Sequence, residues 1–131
     1  MSERFIVKEY WNHLFGHEKE LTREIIDNAF DLFFRLNGLL ADLEVSFVSI
    51  RSGWRPEAVN RRVGGSSRSY HLSGQAVDLE DNEKVLAGRI LDNSILLAKH
   101  GLWLEEPGRT STWVHLDTGD RPSREVRVFL P

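Results

Sequence analysis

A long amphipathic pattern extends from Leu21 to Leu43. Apolar residues recur within it every three or four positions, which is the spacing of the buried face of an α-helix. Thr22 is placed to cap the helix N-terminus, and Glu24 in the first turn favours the same start. The sequence therefore predicts one long core helix. The apolar positions that define it are Ile25, Ile26, Ala29, Phe30, Leu32, Phe33, Leu36, Leu39 and Leu40.

Short apolar segments separated by turn residues follow this helix and predict β-strands. The predicted strands cover residues 45–50, 75–79, 101–105, 112–117 and 125–130. A short helix is predicted from Pro56, and a second long helix over 82–100, where Gly101 can cap the C-terminus. This order of elements indicates an α+β fold, with helices packed on a mainly antiparallel sheet.

The size and composition of the chain limit what it can be. Its 131 residues are the length of one ordinary domain, so we expect a single domain over residues 1–131. The chain has no cysteine, which excludes thiolate chemistry and leaves His, Asp and Glu as metal ligands. Its net charge of −3 gives no indication of a nucleic-acid or membrane partner. Because no segment is typical of a secretory signal or a membrane span, we expect synthesis in the cytoplasm.

The segment SYHLSGQAVD, residues 69–78, places His71 and Asp78 on either side of Gly74. On a helix these two residues would lie about 10 Å apart along the axis, too far to share one ion at about 2 Å from each. On a straight strand they would point to opposite faces, so their convergence requires a bend, which glycine tolerates. A third ligand must come from elsewhere, and His115 in TWVHLD is the best candidate.

Two histidines and one carboxylate leave a coordination position open for water, which is typical of a catalytic zinc site. The same three ligand types also form the facial triad of non-haem iron oxygenases. Those enzymes usually have closely spaced His-x-Asp ligands and a larger double-sheet scaffold, so zinc is the better interpretation.

The segment 69–78 also matches the signature Ser-x-His-x-x-Gly-x-Ala-x-Asp of a family of zinc peptidases. This family includes D-Ala-D-Ala carboxypeptidases, D-Ala-D-Ala dipeptidases and phage L-alanyl-D-glutamate endopeptidases, and its fold is shared by the Hedgehog signalling domain. The resemblance extends through SGWRP, GLWLEEP and TWVHLD and covers roughly residues 20–131, with the short phage and prophage members most similar. It implies a Hedgehog-like fold and hydrolysis of an amide bond in peptidoglycan stem peptides.

By this resemblance, one zinc ion per chain would be bound by His71, Asp78 and His115. Arg55 of SGWRP would lie near the substrate carboxylate or the oxyanion that develops during hydrolysis, and Ser69 would support the site. The resemblance implies a peptidoglycan peptide as the partner, without nucleic acid or membrane. A protein made in the bacterial cytoplasm would then reach the wall through a holin or as part of a virion.

Two features beside the signature suggest a surface for substrate. Trp113, next to the predicted strand position of His115, either lines a substrate groove or fills core. The window 51–68 carries five arginines against one glutamate, which would attract the carboxylates of a stem peptide or form a solvated basic face. These arginines are Arg51, Arg55, Arg61, Arg62 and Arg68.

The chain departs from the wider family at one position. Many members place an acidic general base three residues before the last histidine ligand, where this chain has Thr112. Threonine cannot accept a proton at neutral pH, so the nearest acids, Glu105 and Glu106, become the candidates for the base. Glu105 is preferred because its LWLE context is shared with the phage-like members. The alternative is a zinc-binding wall-binding or structural module without catalysis.

Overall fold

Five α-helices and five strands form the part of the chain that the computed structural model describes, residues 7–122 and 126–131. The helices are α1 (Val7–Tyr10), α2 (Arg23–Asp42), α3 (Glu57–Arg62), α4 (Val85–Asp92) and α5 (Ile95–His100). The strands are β1 (Ile50–Ser52), β2 (Ala76–Glu80), β3 (Trp103–Glu105), β4 (Trp113–Asp117) and β5 (Val128–Phe129). None of the described helices is both long and apolar enough to cross a bilayer.

The long helix α2 lies where the sequence predicts it. The Thr22 hydroxyl accepts a hydrogen bond from the backbone N–H of Ile25 at 3.2 Å, which is the expected N-cap interaction. Phe30, which the apolar pattern assigned to the buried face, is instead 60% exposed. The buried face of α2 consists of Ala29, Leu32, Phe33, Leu36, Leu39 and Leu40.

The sheet has the strand order β1-β2-β4-β3-β5. Every neighbouring pair is antiparallel except β3 and β5, which are parallel. Side chains alternate between the two faces of a strand, and one face of β4 contributes Val114 and Leu116 to the same buried cluster as α2. The opposite face of β4 is polar. The predicted α+β fold with a mainly antiparallel sheet is therefore confirmed.

Two of the predicted strands have markedly different limits in the structure. The strand predicted at 45–50 is wrong for most of its length, because β1 begins only at Ile50. β2 ends at Glu80, whose N–H bonds to the carbonyl of Ser49, so the preceding residues have no strand partner. The strand predicted at 125–130 is reduced to β5, and its first residue lies outside the described residues.

The single helix predicted over 82–100 is two helices, α4 and α5. The side-chain amide of Asn93 donates to the carbonyl of Arg89 at 2.9 Å, a local bond that competes with the helical ladder and accompanies the break. The Asp81 carboxylate accepts from two backbone N–H groups in the first turn of α4, at 3.0 and 2.9 Å, and so caps it. Gly101 ends α5 with a left-handed φ of 67°, as predicted.

The bend required between His71 and Asp78 lies at Gly74. Its φ is +76°, a region that glycine occupies without strain, and a Cβ there would lie 2.6 Å from the carbonyl oxygen of Ile25. The chain therefore turns against the start of α2 before it enters β2. This turn brings the loop of His71 alongside the strand of Asp78.

Replacing Gly74 with alanine should lower the free energy of unfolding by about 1–3 kcal/mol, because the new Cβ meets backbone and the left-handed φ becomes strained. Gly88→Ala is the matched control. Gly88 lies within α4 with open space around it, so alanine there should stabilise the protein by up to about 1 kcal/mol. Urea unfolding measures both changes, and an unchanged stability of Gly74→Ala would contradict the role of the turn.

Candidate metal centre

The polar face of the sheet carries a row of side chains from three neighbouring strands. Asp78 on β2 pairs with His115 on β4. The register of β3 against β4, continued by one pair beyond Leu104 and Leu116, places Glu105 opposite His115. Since directly paired residues project to the same face, the two carboxylates flank the imidazole across three strands. All three side chains line a cleft of about 470 Å³.

His71 reaches this row from the loop that precedes β2. Its ring Nδ1 lies 2.8 Å from the carbonyl oxygen of Gly53, which can only accept, so Nδ1 carries the donated hydrogen. The lone pair of the neutral ring is then on Nε2, which lies 3.3 Å from Asp78 Oδ1. Nε2 is buried and has no hydrogen-bond partner among the described residues. An unpaired buried acceptor is costly, which favours a bound cation at this point.

His115 lies between two carboxylates. Its Nδ1 is 2.9 Å from Asp78 Oδ1 and its Nε2 is 2.7 Å from Asp117 Oδ2. Asp117 is fully buried and also accepts a hydrogen bond from the N–H of Gly119 at 2.9 Å. A carboxylate on one ring nitrogen of a metal-binding histidine orients the ring and directs the other nitrogen toward the metal. Asp117 therefore directs Nδ1 of His115 toward Asp78.

The electrostatics of the cluster follow from this geometry. Burial alone would raise the pKa of Asp78, but its electrostatic interaction with the His71 ring and the hydrogen bond from His115 hold that pKa well below its usual range. Burial opposes a charge on His115, yet its hydrogen bonds to Asp117 and Asp78 raise its pKa to about 9. Coordination of a metal through Nδ1 of His115 therefore requires the loss of a proton from the ring.

The donors of His71, Asp78 and His115 fit a metal ion. One ligand atom from each residue can be chosen so that all three lie within 4.8 Å of one another. Two imidazole nitrogens and a carboxylate oxygen are a donor set that zinc accepts, and the unpaired Nε2 of His71 is a ligand atom without another partner. The structure thus brings together the three residues that the sequence singles out.

Arg55 and Ser69 lie at the edge of the cluster. Arg55 Nη2 is 3.3 Å from Asp78 Oδ2, and its Nε donates to the hydroxyl of Ser52 at 3.1 Å. The Ser69 hydroxyl accepts from the backbone N–H of His71 at 3.1 Å and so supports the loop that carries the ligand. Both residues line the cleft beside the candidate metal ligands.

The positions of Glu105 and Glu106 distinguish between these two candidates for the general base. Glu105 lines the cleft, while Glu106 does not. Burial is the largest influence on Glu105 and raises the pKa of its carboxyl group. The hydroxyl of Thr112 accepts a hydrogen bond from Arg51 at 2.8 Å, outside the cleft. Glu105 is therefore the acid from this pair that faces the candidate metal ligands.

The tryptophans divide between cleft and core. Trp113 lines the cleft, and the Arg51 guanidinium stacks on it 4.7 Å from the ring centroid. Trp54 and Trp103 are each 1% exposed and belong to the interior. Of these three residues, Trp113 is the one available to a substrate in the cleft.

Two residues at this site have no counterpart in the sequence-based prediction. Asp117 follows His115 by two positions, and the strand period alone places both on the same face. Arg121 donates to the Asp117 carboxylate through Nη1 and Nη2, and its guanidinium carbon lies 3.7 Å from the ring centroid of Phe129. It follows the strand, in a segment without periodicity, so no sequence pattern indicates its position.

A family model described as Peptidase M15 matches residues 14–117 of the chain. The chain belongs to the peptidase M15 family. This is a family of zinc metallopeptidases, so the resemblance seen in the sequence is confirmed at the level of the family. A search of curated proteins found no match. The M15 match includes His71, Asp78 and His115 and ends at Asp117, so Arg121 and β5 lie beyond it.

Asp117→Asn should weaken metal binding by about 10- to 100-fold, the usual effect of removing a carboxylate that orients a histidine ligand. The amide keeps the shape of the side chain but loses the negative charge opposite Nε2 of His115. Asp42→Asn is the matched control, because Asp42 bonds Lys99 and His100 outside the cleft. Competition with a chromophoric zinc chelator measures both variants. Equal affinity of Asp117→Asn and the unmodified protein would show that Asp117 does not orient the ligand.

Proposed function

We propose that this protein is a zinc-dependent peptidase that hydrolyses an amide bond in the stem peptides of bacterial peptidoglycan. One zinc ion per chain would be bound by His71 Nε2, His115 Nδ1 and the carboxylate of Asp78. The observation that carries the proposal is the convergence of these three donors at the cleft, with the buried Nε2 unpaired, in a chain of the M15 family. The same membership favours zinc hydrolysis over the oxygenase alternative.

Zinc bound by three protein ligands would polarise the scissile carbonyl and lower the pKa of a water molecule to about 7. The chain supplies the remaining groups. Glu105 stands opposite His115 in the cleft, where its carboxylate can accept the proton of the attacking water and return it to the leaving amine nitrogen. Its raised pKa moves it toward the range in which a carboxylate both accepts and releases a proton near neutral pH.

Arg55 is suited to stabilise negative charge at the reacting centre. Its guanidinium is held by Ser52 and Asp78 on the cleft side of β1, so little reorganisation is needed when charge develops on the carbonyl oxygen. A planar guanidinium also matches the geometry of a substrate carboxylate. Ser69 positions His71, and Trp113 offers an aromatic wall for the peptide.

The finer assignment rests on the resemblance to short phage and prophage members. We infer a phage or prophage enzyme of the endolysin type that acts as a D,D-carboxypeptidase or as an endopeptidase. It would be made in the bacterial cytoplasm without a signal peptide and reach the wall through a holin or within a virion. Its partner would be the peptide part of peptidoglycan, without nucleic acid or membrane.

One observation favours a second function. Thr112 occupies the position of the usual acid, and its hydroxyl is already engaged by Arg51. A chain that kept the metal ligands and lost the base would be a zinc-stabilised module that binds the cell wall without cutting it. Turnover on muropeptides distinguishes the two functions.

Digestion of purified peptidoglycan, followed by mass spectrometry of the fragments, tests the proposal and identifies the bond. The zinc-loaded protein should release fragments that differ from their parents by hydrolysis of one amide bond. The His115→Ala protein should bind less zinc and release none. An inert protein with one zinc bound would establish the binding module, and unchanged zinc affinity of His115→Ala would remove His115 from the ligand set.

Glu105→Gln should reduce turnover by at least about a hundredfold, the lower end for loss of a general base, while zinc content and fold are retained. The amide has the shape of the carboxylate but cannot accept a proton. Glu106→Gln is the matched control, and its turnover should fall much less, because Glu106 does not line the cleft. Wild-type turnover of Glu105→Gln on muropeptides would show that another group is the base.

A further inference from the structure

Three arginines line the cleft, and two of them are already paired with acids. Arg55 bonds Asp78, and Arg121 bonds Asp117. The guanidinium of Arg68 is exposed and forms no hydrogen bond or ion pair within residues 7–122 and 126–131. Arg68 is therefore the cleft arginine whose charge remains available to a ligand.

The loop that carries Arg68 is fixed to the metal site. Asn60 is 2% exposed, and its side chain accepts from Arg55 Nη1 at 3.3 Å and donates to the carbonyl of Ser66 at 2.8 Å. The N–H of Gly65 bonds the carbonyl of Asn60 at 2.8 Å, and a Cβ on Gly65 would lie 2.1 Å from Asn60 Oδ1. The backbone of Arg68 then bonds the Ser66 hydroxyl at 3.1 Å. The position of Arg68 is thus tied to that of Arg55.

We propose that Arg68 binds a second carboxylate of the substrate, away from the reacting centre, and makes the enzyme selective for stem peptides whose D-glutamate α-carboxylate is free rather than amidated. This inference rests on the proposed function and specifies its substrate. A guanidinium binds a carboxylate through two parallel hydrogen bonds, whereas a neutral carboxamide offers one acceptor and no charge. Arg55 and Arg121 are already paired with Asp78 and Asp117, so among the cleft arginines the charge of Arg68 is the one left to act on the ligand.

The neighbouring Arg61 provides a matched control. It is exposed like Arg68, but it does not line the cleft and its guanidinium lies 3.5 Å from Glu57. Removing Arg61 changes the net charge by the same amount as removing Arg68. A difference in KM between the two variants therefore reflects the position of the lost charge and not the change in net charge.

The test uses two synthetic peptides that are identical except for a free or an amidated D-glutamate α-carboxylate. The zinc-loaded wild type should have a KM about fivefold lower for the acid, as expected for one exposed ion pair, with similar kcat for both. This preference should decrease as ionic strength rises. Arg68→Ala should remove the preference by raising KM for the acid alone, Arg68→Lys should keep part of it, and Arg61→Ala should keep all of it.

The inference would be overturned if Arg68→Ala raised KM equally for both peptides, or if the preference for the acid survived the substitution. A wild type that hydrolyses neither peptide would instead count against the proposed function. In that case the same two peptides are titrated against the zinc-loaded protein, with tryptophan fluorescence as the readout. Tighter binding of the acid that is lost in Arg68→Ala would support the role of Arg68, and equal binding would refute it.

Discussion

β4 lies between β2 and β3, and its side chains alternate between the core and the cleft. Val114 and Leu116 are fully buried on one side, while His115 faces Asp78 and Glu105 on the other. Because the side-chain period of a strand is two, a slip of one residue would bring His115 into the core and Val114 into the cleft. Apolar burial, which stabilises the fold at about 25 cal/mol per Å², opposes this slip. The interaction that stabilises the sheet therefore also fixes the candidate metal ligands Asp78 and His115.

A second set of contacts fixes His71, the candidate ligand that comes from a loop. The His71 ring is oriented by the carbonyl of Gly53, and Gly53 packs so closely on Tyr10 that a Cβ would lie 2.3 Å from the Tyr10 carbonyl oxygen. The Tyr10 hydroxyl in turn donates to the carbonyl of Ala76 at 2.9 Å, at the start of β2. Tyr10 precedes the region that matches the M15 family. In this chain Tyr10, which lies outside the family match, thus connects the Gly53 segment that orients His71 to the strand that carries Asp78.

The sequence predicts those features of the fold that depend on local periodicity or on a special residue. The helix α2, its Thr22 cap and the turn at Gly74 are of this kind, and so is the grouping of His71 with Asp78. The break between α4 and α5 was not predicted, because it accompanies a side-chain bond in a segment whose apolar spacing is continuous. The strand predicted from residue 45 fails because strands need a partner, and β2 ends before it could provide one. The apolar pattern of a segment shows its preference for a strand conformation, whereas the pairing of that strand depends on the rest of the chain.

Side-chain contacts that only the folded structure shows explain what the sequence alone misses at the site. The strand period places Asp117 on the same face as His115. Its role at the site, however, depends on the orientation of the His115 ring, whose Nε2 points to the Asp117 carboxylate. Arg121 becomes part of the site through its two bonds to Asp117 and through Phe129, from a parallel strand at the edge of the sheet, whose ring lies against its guanidinium. No local periodicity relates Arg121 to Phe129, so the sequence alone does not indicate that contact.

The geometry of β4 also explains why Glu105, rather than residue 112, lies beside the candidate metal ligands. Continued alternation along the strand places a residue at 112 on the same side as Val114, and the Thr112 hydroxyl bonds Arg51 rather than facing the ligands. A carboxylate on the neighbouring strand avoids this constraint, because Glu105 pairs directly opposite His115. Directly paired residues on adjacent strands have Cβ atoms only about 5 Å apart, which a glutamate side chain spans. Although threonine stands where many family members have an acid, the polar face of the sheet therefore keeps a carboxylate directly opposite His115.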